Sequence, residues 1–182
     1  MITIMSLWLP ILLSALFVWI ASALVWTVLP HRKNEFKQLP DEEAARKALR
    51  ADVGEYYVPW GSQAAMKDPD YQRKCQEGPV GIVRIIPSGK PAMGKAMVLS
   101  LLTYVVIGVF VAYLTSRTLD PGAPYLAVHR VAGVFAFAAY FFAALPDSIW
   151  FGKPWGSTGK LLIEALVYSG LTGGTFGWLW PA

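Results

Sequence analysis

One cysteine, Cys75, and two histidines, His31 and His129, are the only thiol and imidazole groups in the chain. A lone thiol excludes an internal disulfide and the paired thiolates of a zinc or iron–sulfur site, so Cys75 reads as a free cysteine in a reducing compartment. Charge is scarce as well: 15% of residues, against about 25% in soluble domains, which sets aside an ordinary soluble fold. Acidic side chains nearly vanish outside one segment, with only Asp120, Asp147 and Glu164 beyond residue 95. No serine or cysteine stands beside a base in a catalytic spacing, and no paired carboxylates suggest acid/base work, so the sequence leans away from an enzyme. It calls for no cofactor, no metal and no nucleic-acid partner.

What the chain has in quantity is hydrocarbon. Hydrophobic residues make up 55% of it, with 8 tryptophans. Ser6 to Leu29 runs 24 residues without a charge, about 36 Å of helix against a bilayer core of about 30 Å. Ala21-Ser22-Ala23 has the form of a signal-peptidase site, but the run stays apolar beyond it and no basic residue precedes it, so a retained anchor is expected. Three further spans are expected at about Ala96 to Ser116, Tyr125 to Leu145 and Leu161 to Trp180. Short connections rich in proline and glycine, "RTLDPGAP" and "PDSIWFGKPWGSTGK", reverse the chain between antiparallel neighbours.

The fold class that follows is an all-α membrane protein with four transmembrane helices and a small mixed α/β insert between the first two. Its domains are an anchor over 1–29, a cytoplasmic insert over 30–95 and a three-helix unit over 96–182. Of 16 lysines and arginines, 12 lie between Arg32 and Lys95, and Lys153 and Lys160 precede the fourth span. The loop after the second span holds Arg117 alone. By the positive-inside rule the insert faces the cytoplasm and both termini lie outside, in a multi-pass plasma-membrane protein.

Within the insert, "PDEEAARKALRADVG" opens on acid, closes on base and ends in Gly54, the signals of a short helix. "KDPDYQRKCQEG" repeats them, with Asp68 as cap, Pro69 in the first turn and Gly78 as stop. "EYYVPW" and "GIVRIIPSG" have the bias of short strands that can pair. The stretch "GKPAMGK" has the spacing of a phosphate-cradling loop. It lacks the following serine or threonine, having Ala96 there, and leads into a membrane span, so Lys90 and Lys95 read as markers of the cytoplasmic end of that span.

Four polar residues of the spans are the candidate functional ones: His129, Arg130, Asp147 and Glu164. His129 and Arg130 enter the third span only about 6 to 8 Å deep, so Arg130 can snorkel and join Asp120, with a hydrogen bond to the histidine. The sharper alternative is a proton-responsive or quinone-headgroup contact at His129. Glu164 is the deepest acid and is expected either to pair with Lys160 one turn before it or to act as a buried proton acceptor; Asp147 closes the third span. His31 and His129, at opposite ends of their spans, are expected to be separated by most of the membrane thickness.

Helix packing is signalled by Gly170 with Gly174 and by Gly173 with Gly177, each pair at small-xxx-small spacing, matched by Ala132, Ala136, Ala139 and Ala143 on the third span. Trp178 and Trp180 suit the outer aromatic belt, and Trp150 and Trp155 the inner one.

The segments "LPHRKNEFKQLPDEE", "GPVGIVRIIPSGKPAMGK", "DSIWFGKPWG" and "GTFGWLWP", in that order, resemble a family of small, uncharacterised bacterial integral membrane proteins. The resemblance implies a bacterial plasma-membrane location and no particular chemistry. The expected function is that of a non-enzymatic accessory or assembly subunit of a larger membrane complex, touching the lipid bilayer and a membrane-protein partner or a second copy. The alternatives are a small oligomeric carrier or channel using Glu164 or His129, and a membrane enzyme acting on lipid or quinone.

Overall fold

The computed structural model describes residues 2–33, 35–90 and 92–182. The elements are α1 (Trp8–Thr27), α2 (Glu42–Ala48), β1 (Gly54–Val58), α3 (Pro69–Glu77), β2 (Gly81–Ile85), α4 (Met93–Thr118), α5 (Tyr125–Phe141), α6 (Leu145–Trp150) and α7 (Trp155–Trp178). The chain divides into two compact units. One comprises Met1–Glu35, Ala92–Ser148 and Lys153–Ala182, the other Phe36–Pro91 with Ile149–Gly152.

In the first unit α1 packs against α4 and α7, α4 against α5, and α5 most extensively against α7, closing a ring of four helices. Each is antiparallel to its neighbours: Ile11 of α1 lies over Gly108 of α4, while Tyr125 and His129 of α5 lie over Gly177 and Gly173 of α7. Leu7, Ile11, Val111, Ala112, Val128, Ala132, Ala136 and Phe176 form the core. Ala132 and Ala136 thus serve as the expected small face of α5, whereas Ala139 and Ala143 are exposed. Of the two glycine pairs on α7, the chain itself uses Gly173 and Gly177: a Cβ on Gly173 would stand 2.7 Å from the His129 carbonyl oxygen, and one on Gly177 would stand 2.8 Å from the Tyr125 ring. Gly170 meets nothing within 4 Å and Gly174 only the Tyr125 hydroxyl at 3.5 Å.

The outward faces are apolar. Leu12, Leu16, Ile20 and Leu24 of α1, Leu102, Val106 and Phe110 of α4, and Ile163, Leu166 and Val167 of α7 are all exposed. Several hydroxyls are satisfied locally: Ser14, Ser22, Ser100 and Ser169 each donate to the carbonyl three residues before, at 2.8 to 3.1 Å. Three helical segments are long and apolar enough to cross a membrane, Ile4–Thr27, Met93–Thr118 and Tyr125–Trp150, the last running through α5, a 3-10 turn and α6. The expected fourth, α7, is not among them. Its 24 residues would be long enough, but its buried face is built from Thr158, Glu164, Tyr168, Ser169, Thr172 and Thr175, which lowers its mean hydropathy.

The second unit holds two short helices and a two-stranded sheet, and it is shorter than the expected insert over 30–95, since residues 30–35 and 92–95 belong to the helical unit. The Asp41 side chain caps α2 by accepting from the Ala44 amide at 2.9 Å, and Asp68 caps α3 by accepting from the Asp70 amide at 2.9 Å, with Pro69 in the first turn. Gly78 ends α3 with φ at 64°, a conformation costly to any residue with a side chain. β1 and β2 pair antiparallel with Tyr56 opposite Val83, and the facing pair Glu55 and Arg84 is joined by a 2.7 Å hydrogen bond.

The α5/α7 contact yields a direct test. Gly173→Val must push the helices apart, because the obstructing atom is backbone, and should destabilise the detergent-solubilised protein by about 1–3 kcal/mol in thermal melts followed by circular dichroism. Gly170→Ala should stay within about 0.5 kcal/mol of wild type.

Candidate functional site

The chain leaves α1 through a single 3-10 turn, Pro30–Arg32, closed by the Lys33 amide on the Pro30 carbonyl at 3.0 Å. That turn brings His31 and Arg32 onto α7. The Arg32 guanidinium meets the Glu164 carboxylate with two hydrogen bonds, Nε to Oε1 at 2.6 Å and Nη2 to Oε2 at 2.8 Å, in the forked geometry that only arginine provides. His31 Nε2 lies 2.9 Å from the same Oε1, donating when the carboxylate is ionised. Arg32 Nη1 also reaches Glu35 Oε2 at 3.4 Å, and Lys160 Nζ reaches that oxygen at 3.5 Å. The guanidinium stands 4.3 Å from the centre of the Trp26 ring, a cation–π contact on its remaining side.

The cluster is nearly closed to solvent, with the side chains of Arg32, Glu35 and Glu164 exposed by 10%, 9% and 5%. Two carboxylates balance the charges of Arg32 and Lys160. Such a pair repays the loss of hydration only when the geometry is good and the lone pairs are used; both Glu164 oxygens meet that condition, whereas Glu35 Oε2 and His31 Nδ1 are buried without a hydrogen-bond partner. The Glu164 hydrogen bonds, aided by its charge and that of Glu35, raise Arg32 above its ordinary pKa against the opposing effect of burial. The Ser157 hydrogen bond, and after it the charges of Arg32 and Lys160, outweigh burial and hold Glu35 below the usual carboxylate range.

Several expectations change here. Lys160 does not pair with Glu164; it turns to Glu35, because both oxygens of Glu164 are already engaged by Arg32 and lysine before glutamate is the weaker order on a helix. Arg32, counted in the sequence among the basic residues of the insert, has a largely buried side chain. His31 stands on Glu164, while the His129 carbonyl lies against Gly173 nine residues further along α7, an axial separation of about 14 Å. That is closer to half a bilayer core than to most of one, yet still too far for both imidazoles to reach one metal.

The other candidates are dispersed. Asp147, in the first turn of α6, is exposed and has Lys153 at 3.9 Å, so it belongs to the turn before α7. His129 is half-buried, stacked on Tyr125 at 5.8 Å, and its Nδ1 is buried without a hydrogen-bond partner. Arg130 is exposed and, among the described residues, does not form the expected ion pair with Asp120, whose carbonyl instead accepts from the Trp180 indole at 3.1 Å. Along the inside of the ring Tyr104, Tyr140 and Tyr168 meet edge to face, and the Tyr140 hydroxyl lies 3.3 Å from Thr172 Oγ1. This aromatic cluster was missed, because its members lie on three separate helices and carry no charge to draw notice.

Glu164→Ala leaves Arg32 buried and short of its main partner, and should cost roughly 3–5 kcal/mol in detergent melts, whereas the double variant Arg32→Leu with Glu164→Leu should recover most of that. The depressed Glu35 pKa makes its contribution full above the ordinary glutamate value of about 4.3 and lost as pH falls through the lower folded value. Melting temperature should therefore fall on acidification below that range, and the Glu35→Gln variant should show a flatter profile. Compared with protein-family models, curated proteins and solved structures, the chain matches none of them.

Proposed function

We propose that this chain is a four-span protein of a bacterial plasma membrane, with its insert on the cytoplasmic side and both termini outside. In this reading it serves as a non-enzymatic accessory or assembly subunit of a larger membrane complex. The polarity of α7 favours a fourth crossing: Ile163, Leu166 and Val167 face outward while Glu164, Tyr168 and Thr172 face the other helices, an arrangement suited to a lipid surrounding. The crowding of basic residues into the insert favours the orientation.

The observation that carries the functional reading is the state of the insert. None of its described residues is buried, while Phe36, Trp60 and Ile86 are exposed by 84%, 79% and 70%. A two-stranded sheet with two short helices and no interior of its own is marginal in water, so its apolar side chains gain most when another polypeptide covers them. Glu164 supports the same view, since its charge is spent on fastening α1 to α7.

A proton carrier is the second reading. It is favoured by the Tyr168 hydroxyl, buried without a hydrogen-bond partner one turn beyond Glu164, and by the Tyr140 and Thr172 hydroxyls that follow. Purification in mild detergent separates the two. For a subunit, a stoichiometric polypeptide should co-purify and be identified by mass spectrometry, and the pair Trp60→Ser with Ile86→Ser should release it. A wild-type chain that purifies alone, and conducts protons in vesicles only while Glu164 is intact, would replace the subunit reading with the carrier.

A further inference from the structure

Arg130 sits five residues after Tyr125, about 8 Å along α5, on the outward surface. An arginine keeps its charge at any accessible pH, and at this depth it needs an anionic partner or a path to the headgroups. Among the described residues Arg130 forms no ion pair with Asp120, and Glu164 is committed to Arg32 and His31. Beside Arg130 a cleft of about 450 Å³ opens between α5 and α7. Gly133 and Gly170 line it where side chains would otherwise fill it, and Phe137 and Leu166 make apolar walls. His129 lines the same end as Arg130, and its Nδ1 has no hydrogen-bond partner.

A cationic, hydrogen-bonding end joined to an apolar trough matches an amphiphile with a phosphate head and a hydrocarbon tail. We propose that this cleft binds one anionic phospholipid, its phosphate on Arg130 and His129 and an acyl chain lying along Gly133 and Gly170. A transmembrane helix would have to bring its own acid to this depth, whereas a lipid phosphate stands there in any bilayer. The volume falls within the range of small-molecule sites.

The test uses the full chain in mild detergent, supplied with dioleoylphosphatidylglycerol or dioleoylphosphatidylcholine and examined by native mass spectrometry. Wild type should retain one phosphatidylglycerol per chain, about tenfold more tightly than phosphatidylcholine, and excess inorganic phosphate should not displace it. Arg130→Gln should abolish the preference for the anionic lipid. Gly170→Leu should fill the trough and lose the lipid while melting like wild type, since its Cβ meets no neighbour within 4 Å. Equal retention by wild type and both variants would overturn the proposal. So would conversion of a dimer to a monomer by either variant with lipid retention unchanged, which would make the occupant a helix of a second copy.

Discussion

The bidentate pair between Arg32 and Glu164 is the constraint from which the arrangement of the helical unit follows. Its partners are 132 residues apart in sequence, and neither side chain can be left alone once solvent is shut out. Joining them ties the end of α1 to the first half of α7, and so closes the ring that α4 and α5 complete. The turn Pro30–Arg32 matters for the same reason: one residue more or less would rotate Arg32 away from the carboxylate, and the Trp26 ring would lose its cation.

Around that pair the polarity of the unit is the reverse of a soluble bundle. Many large apolar side chains face out, and the interior mixes the core of Leu7, Ile11, Val111, Val128 and Phe176 with serine, threonine, tyrosine and small residues that let the backbones approach. Where hydrocarbon lies outside, burying leucine against leucine gains little over leaving it in lipid, so association depends on close packing and on polar groups kept from the exterior. α7 illustrates the balance. Gly173 and Gly177 meet α5, Ser169, Thr172 and Thr175 bond back to their own helix, and its one acid is met by Arg32 from the turn after α1.

How much of this is legible in the sequence depends on the range of the interaction. The acidic opening of α2, the cap at Asp68, the stop at Gly78 and the pairing of the two strands are written in a few adjacent residues and form where read, whereas Gly54, read as the stop of α2, opens β1 after the helix has already ended at Ala48. Apolar runs mark α1, α4 and α5, because hydropathy is a local sum; α7 falls short of that sum because its composition serves its neighbours. Two glycine pairs with the same spacing look alike on paper, and only the position of α5 separates Gly173 and Gly177, which it covers, from Gly170, which it leaves open. Long-range charge pairing is the least legible of all. From the sequence, Glu164 has Lys160 as its nearest cation, and nothing in the spacing points to an arginine beyond the end of another helix.

The two units also differ in how they reach stability. The helical unit encloses its own core and answers its deepest charges internally. The insert carries nine basic and eight acidic residues between Phe36 and Pro91, nearly balanced, and spends several on short-range pairs such as Arg73 with Asp70 and Glu77. Pairs so exposed add little, and a net charge so small gives weak attraction to an acidic lipid surface, so neither can stand in for a core. What remains to hold the insert in one shape is its capped turns and one strand pair, with Phe36, Trp60 and Ile86 left exposed. That makes the insert the part of the chain least able to keep its shape unaided and the helical unit the part best able.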